Sequence, residues 1–148
     1  MAVYLNANSS SDGQSVAPTD EIVVIKMLQA TVASQADVFD KAISAFVAPS
    51  DGVYRVAGGT IFSGGNADHD GVIMGFSINK QNPFPPVSPD LSTTNILVLE
   101  PGTFINPTSQ SVTALLQLKK GNTVQLALSG IQSAKFEISY SYLSVNSV

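Results

Sequence analysis

Between Val112 and Leu128 the apolar side chains keep to even positions: Val112, Ala114, Leu116 and Leu118, then Val124, Leu126 and Leu128. A period of two marks a strand that buries one face. The same spacing recurs at Val72, Met74, Phe76 and Ile78, and again at Phe136, Ile138, Tyr140 and Tyr142. Ile22 to Val32 (IVVIKMLQATV) is rich in β-branched residues and reads as the first strand. Val53 to Phe62 reads as another, interrupted at Gly58-Gly59, where the pair predicts a bulge. Asn95 to Leu99 is short, apolar and closed by Glu100-Pro101-Gly102. Ser34 to Phe46 (SQADVFDKAISAF) has weak helical spacing at Val38, Ala42 and Ile43, but is short and uncapped. It reads equally as a loop with one turn of helix or as a short edge strand.

Glycine- and proline-bearing turns separate these segments. Pro83 to Pro89 (PFPPVSP) cannot donate to a sheet ladder and must be a loop. About eight short strands without a long helix predict an all-β, antiparallel β-sandwich or jelly roll over residues 21–148. A parallel sheet would need crossover helices. Residues 1–20 stand apart. Their polar run NANSSSDGQSVAPT buries almost nothing, which predicts an extended N-terminal arm with Val3, Tyr4 and Leu5 as its anchor.

Lys119-Lys120-Gly121-Asn122 sits between two of the alternating runs without changing their parity, as a four-residue hairpin turn does. Gly121 and Asn122 tolerate positive φ, and the lysines keep the tip solvated. A phosphate-binding loop would need more glycines, a Ser/Thr and a helix N-terminus.

Composition changes the picture in one respect. The 148 residues are 44% hydrophobic and only 12% charged, about half the usual charged share. So much uncharged surface implies packing against other protein. With a net charge of −4 and no basic cluster beyond Lys119-Lys120, nucleic acid is excluded as an expected partner. Cysteine is absent, which removes disulfides, thiolate metal sites and cysteine nucleophiles. The beginning, MAVYLNANSSSDG, has no basic region followed by an apolar one, so no signal peptide is expected. No apolar run approaches the roughly 20 residues of a membrane span.

Candidate chemistry is thin. His69 is the one histidine and lies in a hydrophilic loop, without the partners of a triad or zinc site. Asp51, Asp68, Asp70, Asp90 and Glu100 could supply a glycosidase-like pair, but all fall in or beside apparent turns. Asn66, Asp68 and Asp70 followed by Gly71 imitate the opening of a calcium loop. The twelfth position is Ser77 instead of a bidentate glutamate, and a strand follows. The Gly58-Gly59 and Gly64-Gly65 pairs read as a bulge and a loop rather than as a nucleotide site, and PFPPVSP as a rigid rim rather than as a polyproline ligand. Asn8-Ser9-Ser10 is a formal glycosylation sequon. No catalytic, cofactor-binding or metal residue is assigned, and no enzyme is expected.

Three segments together resemble a known family. Leu116 to Leu126 (LQLKKGNTVQL) resembles the penultimate hairpin in the globular heads of complement-type and tumour-necrosis-factor-like proteins. Phe46 to Val56 (FVAPSDGVYRV) resembles that family's phenylalanine–proline–glycine–tyrosine segment before an early core strand. Lys135 to Leu143 (KFEISYSYL) sits where the closing strand would. Order and spacing agree over roughly residues 22–148. The resemblance implies a jelly roll assembled as a homotrimer, with uncharged outer-face residues such as Leu115, Ala127 or the tyrosines at the interface. Secreted members carry a signal and a stalk, so their signalling does not transfer. Heads of this type also serve as phage capsid decoration (cement) proteins and fibre tips. The expectation is therefore a structural virion protein, assembled in the host cytoplasm, whose partners are its own copies and a major capsid or other virion protein. No nucleic acid and no membrane are expected. The alternative is a receptor- or glycan-binding head of a fibre or surface protein.

Overall fold

The computed structural model describes residues 2–16, 23–64, 71–81, 96–99, 108–131 and 136–148. Eleven strands run through them. They are β1 (Tyr4–Val16), β2 (Val23–Val24), β3 (Gln29–Ala33), β4 (Phe39–Asp40), β5 (Ala45–Val47) and β6 (Gly52–Gly64). β7 (Gly71–Ile78), β8 (Ile96–Leu99), β9 (Thr108–Leu118), β10 (Thr123–Ile131) and β11 (Phe136–Ser147) follow. Among the described residues the helical content is one 3₁₀ turn, Ala36–Val38.

The strands form two sheets. One has five strands in the order β3-β1-β11-β6-β9; the other has six, with β4-β5-β10-β7-β8 in line and β2 paired to β10. Every pairing is antiparallel. β11 lies between β1 and β6, and β10 between β5 and β7, so the chain passes repeatedly from sheet to sheet. This wrapping defines the antiparallel jelly roll.

The core is where the inner faces meet. Leu5 and Ala7 of β1, Tyr54 and Val56 of β6, Val112 to Leu118 of β9, and Leu143 and Val145 of β11 supply one side. Met74 and Phe76 of β7, Val124, Leu126 and Leu128 of β10, and Phe46 of β5 supply the other. Each large side chain contributes about 1.5–3 kcal/mol by leaving water. The even-position alternation at 112–118 and 124–128 therefore is what buries both strands. Gly58 faces this core too. A Cβ there would lie 2.9 Å from Leu126 Cδ1 and 3.1 Å from Phe76 Cε1, so a glycine lets the sheets approach. β6 pairs with β9 in unbroken register through Gly58-Gly59, and the bulge expected there is absent.

The bulge is elsewhere. Ile138 pairs with Phe62 and Tyr140 with Ile61, which leaves Ser139 as an extra residue in β11. One extra residue exchanges the two faces of everything that follows. Ile138 is buried, but beyond the bulge Ser141, Leu143 and Val145 point inward and Tyr140 and Tyr142 outward. The alternation expected to run from Phe136 to Tyr142 is broken at this point.

Three further expectations are corrected. The run Ile22–Val32 is two strands: β2 joins the six-stranded sheet, β3 the five-stranded one, and Ile25–Leu28 crosses between them. Ile25 N–H donates to the Leu126 carbonyl at 2.8 Å and Leu28 N–H to that of Asn8 at 3.0 Å, one bond to each sheet. The arm expected at 1–20 is, over residues 4–16, strand β1, with β11 on one side and β3 on the other. Its polar side chains gave no reason to order, but its backbone has partners on both edges, and Leu5 and Ala7 reach the core.

The third correction concerns Lys119–Asn122. β9 belongs to one sheet and β10 to the other, so these residues form an arch between sheets and not a hairpin. Preserved parity fits both geometries, because either one keeps every second side chain facing inward. The arch bonds to the neighbouring crossing at Ala48–Asp51. Gly121 N–H donates to the Ala48 carbonyl (2.8 Å), Ala48 N–H to the Asn122 carbonyl (2.9 Å) and Lys120 N–H to Asp51 Oδ1 (2.8 Å). Tyr54 Oη donates to the Ser50 carbonyl at 2.8 Å, and its ring meets Phe46 with centroids 5.3 Å apart. Gly121 supplies the positive φ, 87°, that closes the arch.

Candidate functional site

The candidate site is the outer face of the five-stranded sheet. Pairing lines up Tyr4, Asn146, Arg55 and Leu115 in one row across it. The next row is Val32, Asn6, Ser144, Ala57 and Thr113, and the one after runs Gln29, Asn8, Tyr142, Gly59 and Ser111. Arg55 is the one charged residue in these rows. Leu115 is 60% exposed and Tyr140 38%, with Tyr4, Val32 and Val53 also open to solvent. The Tyr140 and Tyr142 rings lie side by side, centroids 6.5 Å apart and tilted by 36°. The bulge at Ser139 puts them there. Its hydroxyl donates to the Ile61 carbonyl at 3.2 Å, on the strand from which the register slips.

Such a face suits association with another protein surface. Tyrosine covers large area at small entropic cost and keeps a polar tip for hydrogen bonds. Asparagine, serine and threonine lose far less than charged groups do when water is removed. Charge depletion with aromatic enrichment is the compositional mark of interface centres.

Of the residues expected at such an interface, Leu115, Tyr4, Tyr140 and Tyr142 are on this face. Ala127 is not. It lies on the opposite sheet with no exposure and cannot touch another molecule. Tyr54 is in the core. Asn6 and Asn8 were hidden from sequence reasoning inside the supposed arm, and nothing distinguishes Ser139 from a serine in regular register.

Asp51 holds the arch by accepting the Lys120 N–H at 2.8 Å. His69, Asn66, Asp68, Asp70, Asp90, Glu100 and the PFPPVSP loop lie outside the described residues. No three histidine or acidic side chains cluster as metal ligands among the described residues.

No protein-family profile matches the chain, and no curated protein matches it in sequence. Solved structures do match. The crystal structure of murine APRIL at pH 8.5, a jelly-roll head of the tumour-necrosis-factor family, superposes with a TM-score of 0.61. The match covers 100% of both chains at 7% identity. The chain therefore has the tumour-necrosis-factor-like jelly-roll fold.

Proposed function

We propose that this chain is a structural virion protein that associates as a homotrimer through the outer face of its five-stranded sheet and decorates a phage-type capsid. The observation that carries the association is the tyrosine-bearing, nearly charge-free surface of that sheet. The fold supports the three-fold arrangement, since the family it resembles builds its heads as trimers. The chain acts mechanically, without catalysis, by bridging capsid subunits. Attachment through a free arm at residues 1–20 is not retained, because residues 4–16 are committed to the sheet. Binding to the capsid falls instead to the surface of the assembled head.

Light scattering on the purified protein tests the first half: a mass three times the 15.4 kDa protomer is expected. A monomer at micromolar concentration refutes it. Peptide counting in purified virions tests the second. Decoration requires copies in proportion to the major capsid protein. A few copies per particle favours a receptor- or glycan-binding fibre head, and absence from virions overturns both readings.

A further inference from the structure

The six-stranded sheet carries a cavity of about 410 Å³ on its outer side, within the usual range for small-molecule sites. Gln125 of β10 and Ser77 of β7, paired across the strands and almost fully buried, lie deepest; the rim holds Ala42, Lys26 and Lys80. The turn Lys41–Ser44 lies over it. Gln125 Nε2 donates to the Ile43 carbonyl at 2.7 Å, which fixes the amide's orientation, since a carbonyl only accepts. The other end of the amide, Oε1, is buried and has no hydrogen-bond partner. An unpaired buried acceptor costs about 1–3 kcal/mol.

Left-handed backbone gathers at the same place. Three non-glycine residues among those described have left-handed backbone: Ser44 (φ 56°), Asn79 (φ 54°) and Lys80 (φ 62°). Ser44 and Lys80 line the cavity, and Asn79 adjoins it. Ser44 is anchored by accepting the Met27 N–H at 2.8 Å, and the 78–81 turn by Ser77 Oγ donating to the Gln81 carbonyl at 2.7 Å. At Asn79 and Lys80 the positive φ values are those of a tight turn, closed by the Gln81 N–H donating to the Ile78 carbonyl at 3.1 Å. Ser44 is the residue held in this region by a long-range bond.

We infer that this cavity is a binding site for an acidic sugar. The ligand must bring a donor for Gln125 Oε1 and a negative group for the Lys80 ammonium, and must set apolar C–H surface against Val24, Ala42 and Ile43. A uronic or sialic acid carries all three on one compact ring. An extended acidic peptide fits less well. β10 and β7 are each paired on both edges, so neither offers a ladder for an added strand. Because Oε1 is sealed from water, the turn Lys41–Ser44 yields as the sugar enters.

The cavity and the proposed association face are on opposite sheets, so the inference stands independently of the trimer. Its test is an NMR titration of the labelled protein with glucuronate and N-acetylneuraminate, beside glucose and an acidic peptide. Saturable shifts at the Gln125 side-chain amide are expected with the acidic sugars alone. Lys80→Gln, at an exposed position, weakens binding at least about tenfold, as does Gln125→Met if circular dichroism shows it folded. A double Leu115→Arg/Tyr140→Glu variant binds as well as the unaltered protein. The inference is overturned if neither acidic sugar saturates, if Lys80→Gln binds unchanged, or if the peptide binds in place of the sugars.

Discussion

The two sheets of this sandwich use their outer faces in opposite ways. On the five-stranded sheet Leu115 is 60% exposed amid tyrosines and small polar residues. On the six-stranded sheet Gln125, at 4%, and Ala127, at 0%, are sealed although they too point away from the core. The rows across the five-stranded face hold one charge, Arg55, and the six-stranded face has Lys26 and Lys80 at its cavity rim, but charge is not what decides exposure. The difference is covering: the chain lays its own 41–44 turn over Gln125, whereas the five-stranded sheet has no such cover over Leu115 and Tyr140 among the described residues. An uncharged face that the protomer leaves open is available to a second protein. One that it partly covers, leaving a cavity, offers room to something small.

The sharpest way to break this comparison is one substitution made on both faces. Ala127→Arg forces a charge into a sealed position and should destabilise the fold by about 4 kcal/mol or prevent folding, as judged by chemical denaturation. Leu115→Arg is its counterpart and is taken up last. If both unfold the protein, the two faces do not differ as described.

A smaller effect is expected between the sheets. Gly58→Ala presses a methyl group against Leu126 and Phe76 and should cost about 2 kcal/mol, with the oligomeric state unchanged. A stability equal to the parent's would show that the sheets are not in close contact there. Tyr54→Phe removes the bond to the Ser50 carbonyl that ties the crossing at Ala48–Asp51, and should cost about 1 kcal/mol in the same denaturation series. All three are compared at one protomer concentration, because association adds to apparent stability.

The smallest effect on stability, within about 0.5 kcal/mol, belongs to Leu115→Arg. Its consequence is for assembly: with Tyr140→Glu it should shift the light-scattering mass from trimer to monomer. A trimer that survives the pair of substitutions moves the association surface elsewhere.

Much of the architecture was legible in local pattern. The alternations at 112–118 and 124–128 announced strands and named their core-facing residues correctly, because a period of two follows directly from strand geometry; the burial of Gln125 and Ala127 on the other side was not in the pattern. The weak segment 34–46 was readable as far as its ambiguity: it holds one 3₁₀ turn and two short strands. Where local pattern failed, the deciding partner was distant. β1 looked like an arm because its side chains are small and polar, yet its order comes from β11, more than a hundred residues away, and from β3. The alternation from Phe136 put Tyr140 and Tyr142 on the face of Ile138, and the one extra serine moves them to the outer face, where the family resemblance places the tyrosines. The candidate face was legible only in outline, as Leu115 and tyrosines, since Asn6 and Asn8 belong to it through pairing alone.

By itself, the sequence determined that the chain is all-β, which side of its regular strands faces the core, and that it carries few charges. These follow from side-chain chemistry and two-residue periodicity, both local. Tertiary structure decided the rest. It made Lys119–Asn122 an arch instead of a hairpin, gave Ser139 the bulge, and chose which of the two outer faces stays open. Each of those depends on which backbone edge meets which, and a hydrogen-bonding edge is the same for every residue except proline, so the sequence carries no local mark of its partner.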